Sequence, residues 1–264
     1  MLETYNEERV IGACLENLSE QGVETYLFDN SSRDRTLDIA KRYFGRGLTR
    51  IQTIPYPGKY IQRQQLKRKE ELAASLVADW FIHVDADEIL LPPRSNTTLA
   101  QAFAEVQAKG YNAANFLEFY FIPTQESPDH DHPNFQKTMK SYYYFQPFFP
   151  VRLIAWKNQH GPVDLTTTAG HQVRFPGLRM YPESFRMRHY PFLSIPQVIR
   201  KYVKKQFDQT ELREGWHGWR AKLKADMLRL PLQSELETYV SDDLLDSSHP
   251  WGEHYLAKLV AASK

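Results

Sequence analysis

Apolar residues in the first hundred positions switch between helical and strand-like spacing. A helix is predicted where they recur every three or four positions, as from Val10 to Leu18. A strand is predicted where a short apolar run lies between turn residues. In chain order, the pattern predicts a helix behind a Thr4–Glu7 capping box, a strand at 23–29, a helix at 37–44, a strand at 51–54, a helix at 62–77 and a strand at 80–84. Apolar strands alternating with helices indicate a parallel sheet covered on both faces.

The predicted fold class is therefore α/β, with a doubly wound, mostly parallel sheet and helices on both faces. In such folds, ligands bind beyond the carboxyl ends of the strands. One strand should precede the first helix, but only Met1 and Leu2 remain for it. That strand is then very short, or the chain begins late.

The pattern changes after residue 95. It predicts a helix capped at Asn96–Thr97, strands at 112–121 and 151–156, and a polar loop at 125–138. Ser194 to Gln197 has the spacing of a second capping box, and a last helix is predicted at 249–262. We therefore predict a main domain of residues 1–189 and a helical appendage of residues 190–264.

Composition excludes several classes of protein. The 264 residues carry 33 basic and 32 acidic side chains, and a net charge of +1 argues against a nucleic-acid partner. The single cysteine, Cys14, sits on the inward stripe of the first helix, so we expect an inert core thiol. One cysteine forms no intrachain disulfide, which favours a reducing compartment, and we expect a cytoplasmic protein. No apolar run approaches the ~18 residues of a membrane span. Peripheral contact with a membrane is compatible with the sequence.

Two carboxylates directly follow the predicted strand at 80–84. Asp85 and Asp87, one residue apart at the mouth of a parallel sheet, can share Mg²⁺ or Mn²⁺ with a ligand phosphate. Alternatively, both are ordinary turn residues. Asp29 ends an earlier strand and should reach the same edge of the sheet. Its carboxylate can accept an N–H of a nucleotide base, or it can cap the turn at residues 30–32.

Three motifs together carry a resemblance to a known family. They are Asn6-Glu7-Glu8 before a helix, Asp29-Asn30-Ser31-Ser32-Arg33-Asp34-Arg35-Thr36 after a strand, and Asp85-Ala86-Asp87-Glu88 after a later strand. In this order and spacing, the chain resembles family 2 glycosyltransferases of the GT-A fold over residues 3–95. The resemblance implies transfer of a sugar from a nucleotide-activated donor, with Mn²⁺ or Mg²⁺ as cofactor and a UDP-sugar slightly favoured as the donor.

The same resemblance implies roles for individual residues. Thr4 and Asp29 would contact the base, Asp85 would lie near the ribose and the metal, and Asp87 would be the main metal ligand. Glu7 would contact the nucleotide, although a capping role explains it equally well.

Other charged residues have alternatives that the sequence leaves open. Lys59 and Arg63 are candidates for the cation that such enzymes place near the diphosphate or base, and we favour Arg63. His189 is the preferred late metal ligand and His171 the second choice. The Asp129–His132 cluster resembles a metal site by composition, but its loop setting favours solvated charge.

The catalytic base is not assigned by any motif. An inverting enzyme needs a carboxylate within about 3 Å of the acceptor hydroxyl. Glu118, Glu126 and Asp164 compete for this role, and we favour Glu118 and Asp164. The aromatic residues at 216–219 form either a platform for the acceptor sugar or packing for the tail.

Three functions are compatible with these motifs. The leading one is a metal-dependent glycosyltransferase that acts on a glycan or a lipid-linked saccharide. A role in polysaccharide biosynthesis is suggested only by analogy with the family that the chain resembles. The second is a sugar nucleotidyltransferase, which usually opens with a Gly-rich basic loop that residues 1–20 lack. The third is a non-catalytic nucleotide- or carbohydrate-binding protein. The donor sugar, the acceptor, the stereochemistry and the oligomeric state are not indicated.

Overall fold

The computed structural model describes residues 1–263 and shows a mixed α/β fold. No helix in this part of the chain is long and apolar enough to cross a membrane. The residues cluster into two compact units. The first unit comprises Met1–Pro55, Gln62–Glu118 and Pro150–Arg188, and the second comprises Tyr56–Ile61, Phe119–Phe149 and the described residues from His189 onward. The division at residue 189 into a main domain and an appendage stays a prediction.

The strands and helices have the following bounds. The strands are β1 Leu2–Thr4, β2 Thr25–Asp29, β3 Leu48–Thr53, β4 Trp80–Ile82, β5 Val84–Asp85, β6 Glu88–Leu91, β7 Ala113–Phe121, β8 Ser141–Phe145, β9 Arg152–Lys157, β10 Phe185–His189 and β11 Glu237–Thr238. The α-helices are α1 Ile11–Glu20, α2 Thr36–Ala40, α3 Gln62–Ser75, α4 Leu99–Ala108, α5 Phe135–Thr138, α6 Ile195–Val198, α7 Gln209–Arg213 and α8 Tyr255–Ala262.

A parallel sheet with the order β3-β2-β1-β5 forms the centre of the first unit. Every residue of β2 is buried, as the continuous apolar run of this strand predicted. The inward stripe of α1, which includes Cys14 and Leu18, is also buried. The chain runs from β2 to β3 on one side of β1 and then reaches β5 on the other side. The strand order therefore reverses between β1 and β5. In α/β sheets, ligands bind beyond the carboxyl ends of the strands at such a switch point.

The predicted strand at 80–84 is two strands in two different sheets. β4 pairs antiparallel with β9, whereas β5 pairs parallel with β1. The change occurs at His83, whose N–H still donates to the Ile154 carbonyl at 2.9 Å, while the N–H of Val84 donates to Met1 at 3.2 Å. The chain thus leaves the antiparallel sheet and enters the parallel one within a single residue.

Of three predicted helix starts, that of α1 is wrong, the cap of α4 is Thr98 instead of Asn96–Thr97, and the cap of α6 is confirmed. α1 begins at Ile11 without a side-chain cap, because Thr4 belongs to β1 and cannot cap a helix that starts seven residues later. Thr98 caps α4 in a full capping box. Ser194 caps α6 by accepting the N–H of Gln197.

Aromatic side chains form much of the core of the second unit. Tyr120 stacks on Tyr143, which stacks on Trp251. Trp219 stacks on the buried His254, which favours the packing role among the alternatives for residues 216–219. The tail is helical only in short segments, because 3₁₀ turns interrupt it. The last helix begins at 255 instead of 249, and His254 caps it through Nδ1, which accepts the N–H of the second following residue at 3.0 Å.

Candidate active site

Three of the predicted site residues end neighbouring strands of the parallel sheet. Thr4 is the register partner of Asp29, and Glu3 is the partner of Asp85. Because the strands are parallel, all these residues lie at the carboxyl edge of the sheet. The expectation that Asp29 and Asp85 share one edge is therefore confirmed.

The first two sequence motifs are hydrogen-bonded to each other. Main-chain N–H groups of the segment after β1 donate to side chains of the segment after β2. These bonds run from Asn6 N to Ser32 Oγ (2.9 Å), from Glu7 N to Thr36 Oγ1 (2.8 Å) and from Glu8 N to Asp34 Oδ2 (3.1 Å). The Asn6–Glu8 segment thus supports the second motif, and this explains why it is polar without being a helix cap.

Asp29 and Thr4 have different hydrogen-bonding states at this edge. Asp29 is fully buried, and both of its carboxylate oxygens accept the Ser32 N–H, at 3.1 and 3.3 Å, as in an Asx-type turn. Thr4 is also buried, and its Oγ1 has no hydrogen-bond partner among residues 1–263. A buried hydroxyl without a partner costs about 1–3 kcal/mol, which a ligand at this edge would remove.

The Asp85–Glu88 turn connects β5 to β6 and concentrates negative charge. Asp85 N–H donates to Glu88 Oε2 at 2.9 Å, and Asp87 is 7% exposed. Burial raises the pKa of the Cys14 thiol well above its ordinary value, and the carboxylates of Glu88, Asp87 and Asp85 raise it further. Three carboxylates therefore lie near Cys14 at this turn. Hard divalent cations favour such clusters of carboxylate oxygens.

Asp85 and Asp87 are the predicted ligands for a metal shared with a bound ligand. In the part of the chain that the structure describes, Asp85 and Asp87 belong to no group of three acidic, histidine or cysteine side chains whose ligand atoms lie within 4.8 Å of one another. Two carboxylates leave coordination positions for diphosphate oxygens and water, as Mg²⁺ and Mn²⁺ sites often do. A different group, Glu237, Asp246 and His249, does meet this criterion in the second unit, but all three residues are exposed, and nothing else there indicates a bound ion.

The sequence matches one protein family over most of its length. A model of glycosyltransferase family 92 matches residues 4–214. The chain belongs to glycosyltransferase family 92. The sequence motifs predicted a glycosyltransferase, which this match confirms, although they had indicated family 2. No curated protein sequence matches the chain.

Three solved structures show similarity at low TM-scores. The S. aureus TarS 1-349 structure is 12% identical, with a TM-score of 0.43, over 89% of this chain and 75% of that chain. TarS 1-349 in complex with UDP-GlcNAc is 21% identical, with a TM-score of 0.33, over 47% of this chain and 33% of that chain. Mannosyltransferase PcManGT from Pyrobaculum calidifontis, in complex with GDP-Man and Mn²⁺, is 21% identical, with a TM-score of 0.34, over 44% and 34%. The chain thus spans about a third of the length of the last two structures.

The candidate bases of this family 92 protein all make other contacts. Glu118 is buried, and its Oε1 lies 3.9 Å from Nε of the buried Arg152. Asp164 accepts the N–H of Thr167 at 2.9 Å and also accepts its hydroxyl, so it shapes a turn. The exposed Glu126 accepts a main-chain N–H at 2.9 Å. A catalytic role for Glu118 or Asp164 stays a prediction, and these contacts favour structural roles.

The candidate cations and histidines lie in different parts of the chain. Lys59 pairs with Asp208 at 2.7 Å, and this hydrogen bond lowers the pKa of the Asp208 carboxyl to about 2. Arg63 lies half-exposed in the first turn of α3. His189 belongs to the second unit, where its ring centroid lies 4.5 Å from that of Tyr120. The roles of Arg63 and His189 stay predictions.

The polar loop at 125–138 is more ordered than its composition indicated. His130 is 2% exposed, and its Nδ1 lies 2.8 Å from the hydroxyl of Thr138. The expectation of solvated charge is therefore wrong for His130, because the loop folds back and surrounds the ring with hydroxyl and carbonyl groups. This local bonding gives no sign of a metal site.

Proposed function

We propose that this chain transfers a sugar from a nucleotide-sugar donor to a saccharide acceptor at the carboxyl edge of its parallel sheet. The observation that carries the proposal is the register that aligns Thr4 with Asp29 and Glu3 with Asp85 at a switch point. Membership in a glycosyltransferase family supports the same activity. We further propose that the fold is of the GT-A type.

The nucleotide would occupy the edge from β2 to β5. The hydroxyl of Thr4, buried and without a partner in residues 1–263, would hydrogen-bond to the base beside Asp29. Asp85 would contact the ribose, and Arg63 would approach the diphosphate from α3. Glu7, whose N–H donates to Thr36 Oγ1, would contact the nucleotide. A UDP-sugar is the donor we favour.

Asp85 and Asp87 would hold Mn²⁺ or Mg²⁺, and the sequence alone predicts His189 as a further ligand. The carboxylates around Cys14 provide the negative charge that such a cation requires. When bound, the cation would stabilise the negative charge of the departing nucleoside diphosphate. The protein's own part is to hold the two carboxylates in a short turn, since the N–H of Asp85 is tied to Glu88.

The test is donor binding by an Asp87→Asn variant across a Mn²⁺ titration, measured by calorimetry with UDP and UDP-sugars. This change keeps the shape of the side chain and removes a charge, so Mn²⁺ should no longer strengthen binding. Asp79→Asn is the matched control, because Asp79 is exposed and lies just before β4, away from the carboxyl edge. His189→Ala should weaken the effect of the metal less than Asp87→Asn does, because imidazole supplies no charge to the ion.

Equal metal dependence in Asp87→Asn and the parent would refute the metal site. Turnover then identifies the reaction. A glycosyltransferase releases nucleoside diphosphate from the nucleotide-sugar, whereas a nucleotidyltransferase acting in reverse would consume pyrophosphate and release nucleoside triphosphate. Binding of the donor without turnover would indicate the non-catalytic alternative.

A further inference from the structure

A chain of buried polar side chains lies behind the carboxyl edge of the sheet, entirely within the first unit. We call it the Lys69 network, and its members are Glu3, Asn30, Gln65, Lys69 and His83. Lys69 Nζ donates to His83 Nδ1 at 2.8 Å and lies 3.7 Å from Glu3 Oε2. Asn30 Nδ2 donates to Glu3 Oε1 at 2.9 Å, and Gln65 Nε2 donates to Asn30 Oδ1 at 2.6 Å.

Burial makes this network costly to maintain. The side chains of Lys69 and Glu3 are 1% and 10% exposed, and lysine is almost never fully buried unless it is paired. A well-packed apolar pair of similar volume is often as stable as a buried ion pair, or more stable. The Lys69 ammonium group has donors only, so His83 Nδ1 accepts its hydrogen bond. Stability alone therefore gives no reason for these residues.

One end of the network contacts the strand ends that carry Thr4 and Asp29, the residues proposed to bind the base. The Asn30 amide group donates to Glu3 and to the Thr4 carbonyl, at 3.3 Å, and its oxygen accepts from Gln65. The Asn30 main-chain N–H also donates to the Thr4 carbonyl, at 2.9 Å. Because its amide is fully engaged, Asn30, which directly follows Asp29, serves to join the end of β2 to the end of β1.

The main chain at Asp85 is held by contacts outside the Lys69 network. Asp85 is fixed through Glu88 Oε2, and its carbonyl lies 3.7 Å from Cys14 Sγ. Neither of these contacts involves Lys69 or Gln65. A change in the Lys69 or Gln65 side chain should thus disturb the base end of the site more than the metal end.

We propose that Lys69 and Gln65 are positioning residues for the nucleoside end of the donor site: they hold Glu3 and Asn30 so that Thr4 and Asp29 keep the geometry that binds the base. The inference rests on the proposed function, because it assumes that a nucleotide binds at this edge. It gives a reason for a buried lysine on a helix whose charged sequence indicates a solvated face.

The experiment compares two kinds of probe on each variant. Calorimetry measures the affinity of UDP, GDP, ADP and CDP, and of inorganic pyrophosphate, all with saturating Mn²⁺. Lys69→Met leaves Glu3 buried without its cation, so the best nucleoside diphosphate should bind about tenfold more weakly or worse. Pyrophosphate affinity should stay within about twofold of the parent, because the probe has no base and its metal site is held separately.

Two further variants separate positioning from general damage. Glu3→Gln combined with Lys69→Met removes both charges but keeps an amide oxygen for Asn30, so nucleoside diphosphate affinity should return to within about threefold of the parent. Gln65→Leu removes the donor to Asn30 without touching the ion pair and should weaken the nucleoside diphosphate selectively. Its matched control is Gln64→Leu, the exposed neighbour on α3, which should bind both probes as the parent does. If Lys69→Met does not fold, Gln65→Leu against Gln64→Leu decides the question.

The outcomes are distinguishable. Normal nucleoside diphosphate affinity in Lys69→Met and Gln65→Leu would overturn the inference and leave the proposed function intact. An equal loss of affinity for both probes would also overturn it, because the network would then stabilise the whole carboxyl edge instead of positioning the base-binding residues. If the parent itself binds neither probe, the proposed function and this inference both fail.

Discussion

Replacing Arg152 with methionine should cost about 3–5 kcal/mol of unfolding free energy, because it leaves a buried carboxylate without its cation. The guanidinium of Arg152 donates to the carboxylate of Glu88, and the two side chains are 7% and 0% exposed. Glu118 is 2% exposed and lies 3.9 Å from the same guanidinium. The Arg152 guanidinium thus lies beside two buried carboxylates. Methionine fills part of the volume but supplies no positive charge, so we expect a value in the upper half of that range.

The exposed pair between Arg46 and Glu16 is the matched control. Its atoms lie 2.9 Å apart, but the side chains are 59% and 41% exposed. Arg46→Met should therefore cost no more than about 1 kcal/mol, because water already screens that pair. The comparison holds the substitution constant and changes only the burial.

Urea unfolding followed by circular dichroism measures both variants. With an m-value of about 2 kcal/mol per molar, Arg152→Met should lower the midpoint by about 2 M and Arg46→Met by less than about 0.5 M. Equal shifts in the two variants would refute the reasoning, because burial would then not determine how much unfolding free energy is lost with the cation. An unchanged m-value is required for the shifts to report stability.

Three further predictions concern a glycine, a histidine and the single cysteine. Gly170→Ala should destabilise more than Gly177→Ala, measured by thermal unfolding, because both have positive φ but only at Gly170 would the new Cβ meet a buried histidine nitrogen at 2.9 Å. Burial holds the pKa of His254 well below its ordinary 6.5, so only the unfolded chain takes up that proton below pH 6.5, and stability should fall there as the pH falls. His254→Asn should flatten this fall by up to about 1.4 kcal/mol per pH unit. Cys14 should resist a thiol reagent in native protein and react only after denaturation, because burial raises its pKa well above the ordinary value, and rapid native labelling would contradict this.

The sequence predicted the ligand edge because strand ends in a parallel sheet are determined by alternation along the chain. Asp29 and Asp85 each follow an apolar strand, so their common edge required no knowledge of contacts. The break at His83 could not be predicted, because an apolar run shows burial but not which sheet each residue joins. The capping box was wrong for a similar reason: the spacing from Thr4 to Glu7 does not show that Thr4 is already in a strand.

The Lys69 network was also missed, although two of its members, Gln65 and Lys69, are four residues apart on α3. Gln65 and Lys69 lie in a stretch so rich in charge that a solvated face was the natural interpretation. Their burial depends on partners from β1 and the second motif, which only the folded chain brings together. A histidine inside the apolar Trp80–Val84 run was the one local sign of a buried polar contact.

The passage of the chain through two sheets at His83 has a consequence for local opening. Residues 80–82 belong to the antiparallel sheet and residues 84–85 to the parallel one, with one residue between them. A fluctuation that frees β4 from β9 would pull directly on β5 and on the turn that carries Asp87. The two sheets should therefore behave as one cooperative unit, and the amide hydrogens of β4 and β5 should exchange with solvent at similar rates through the same opening event.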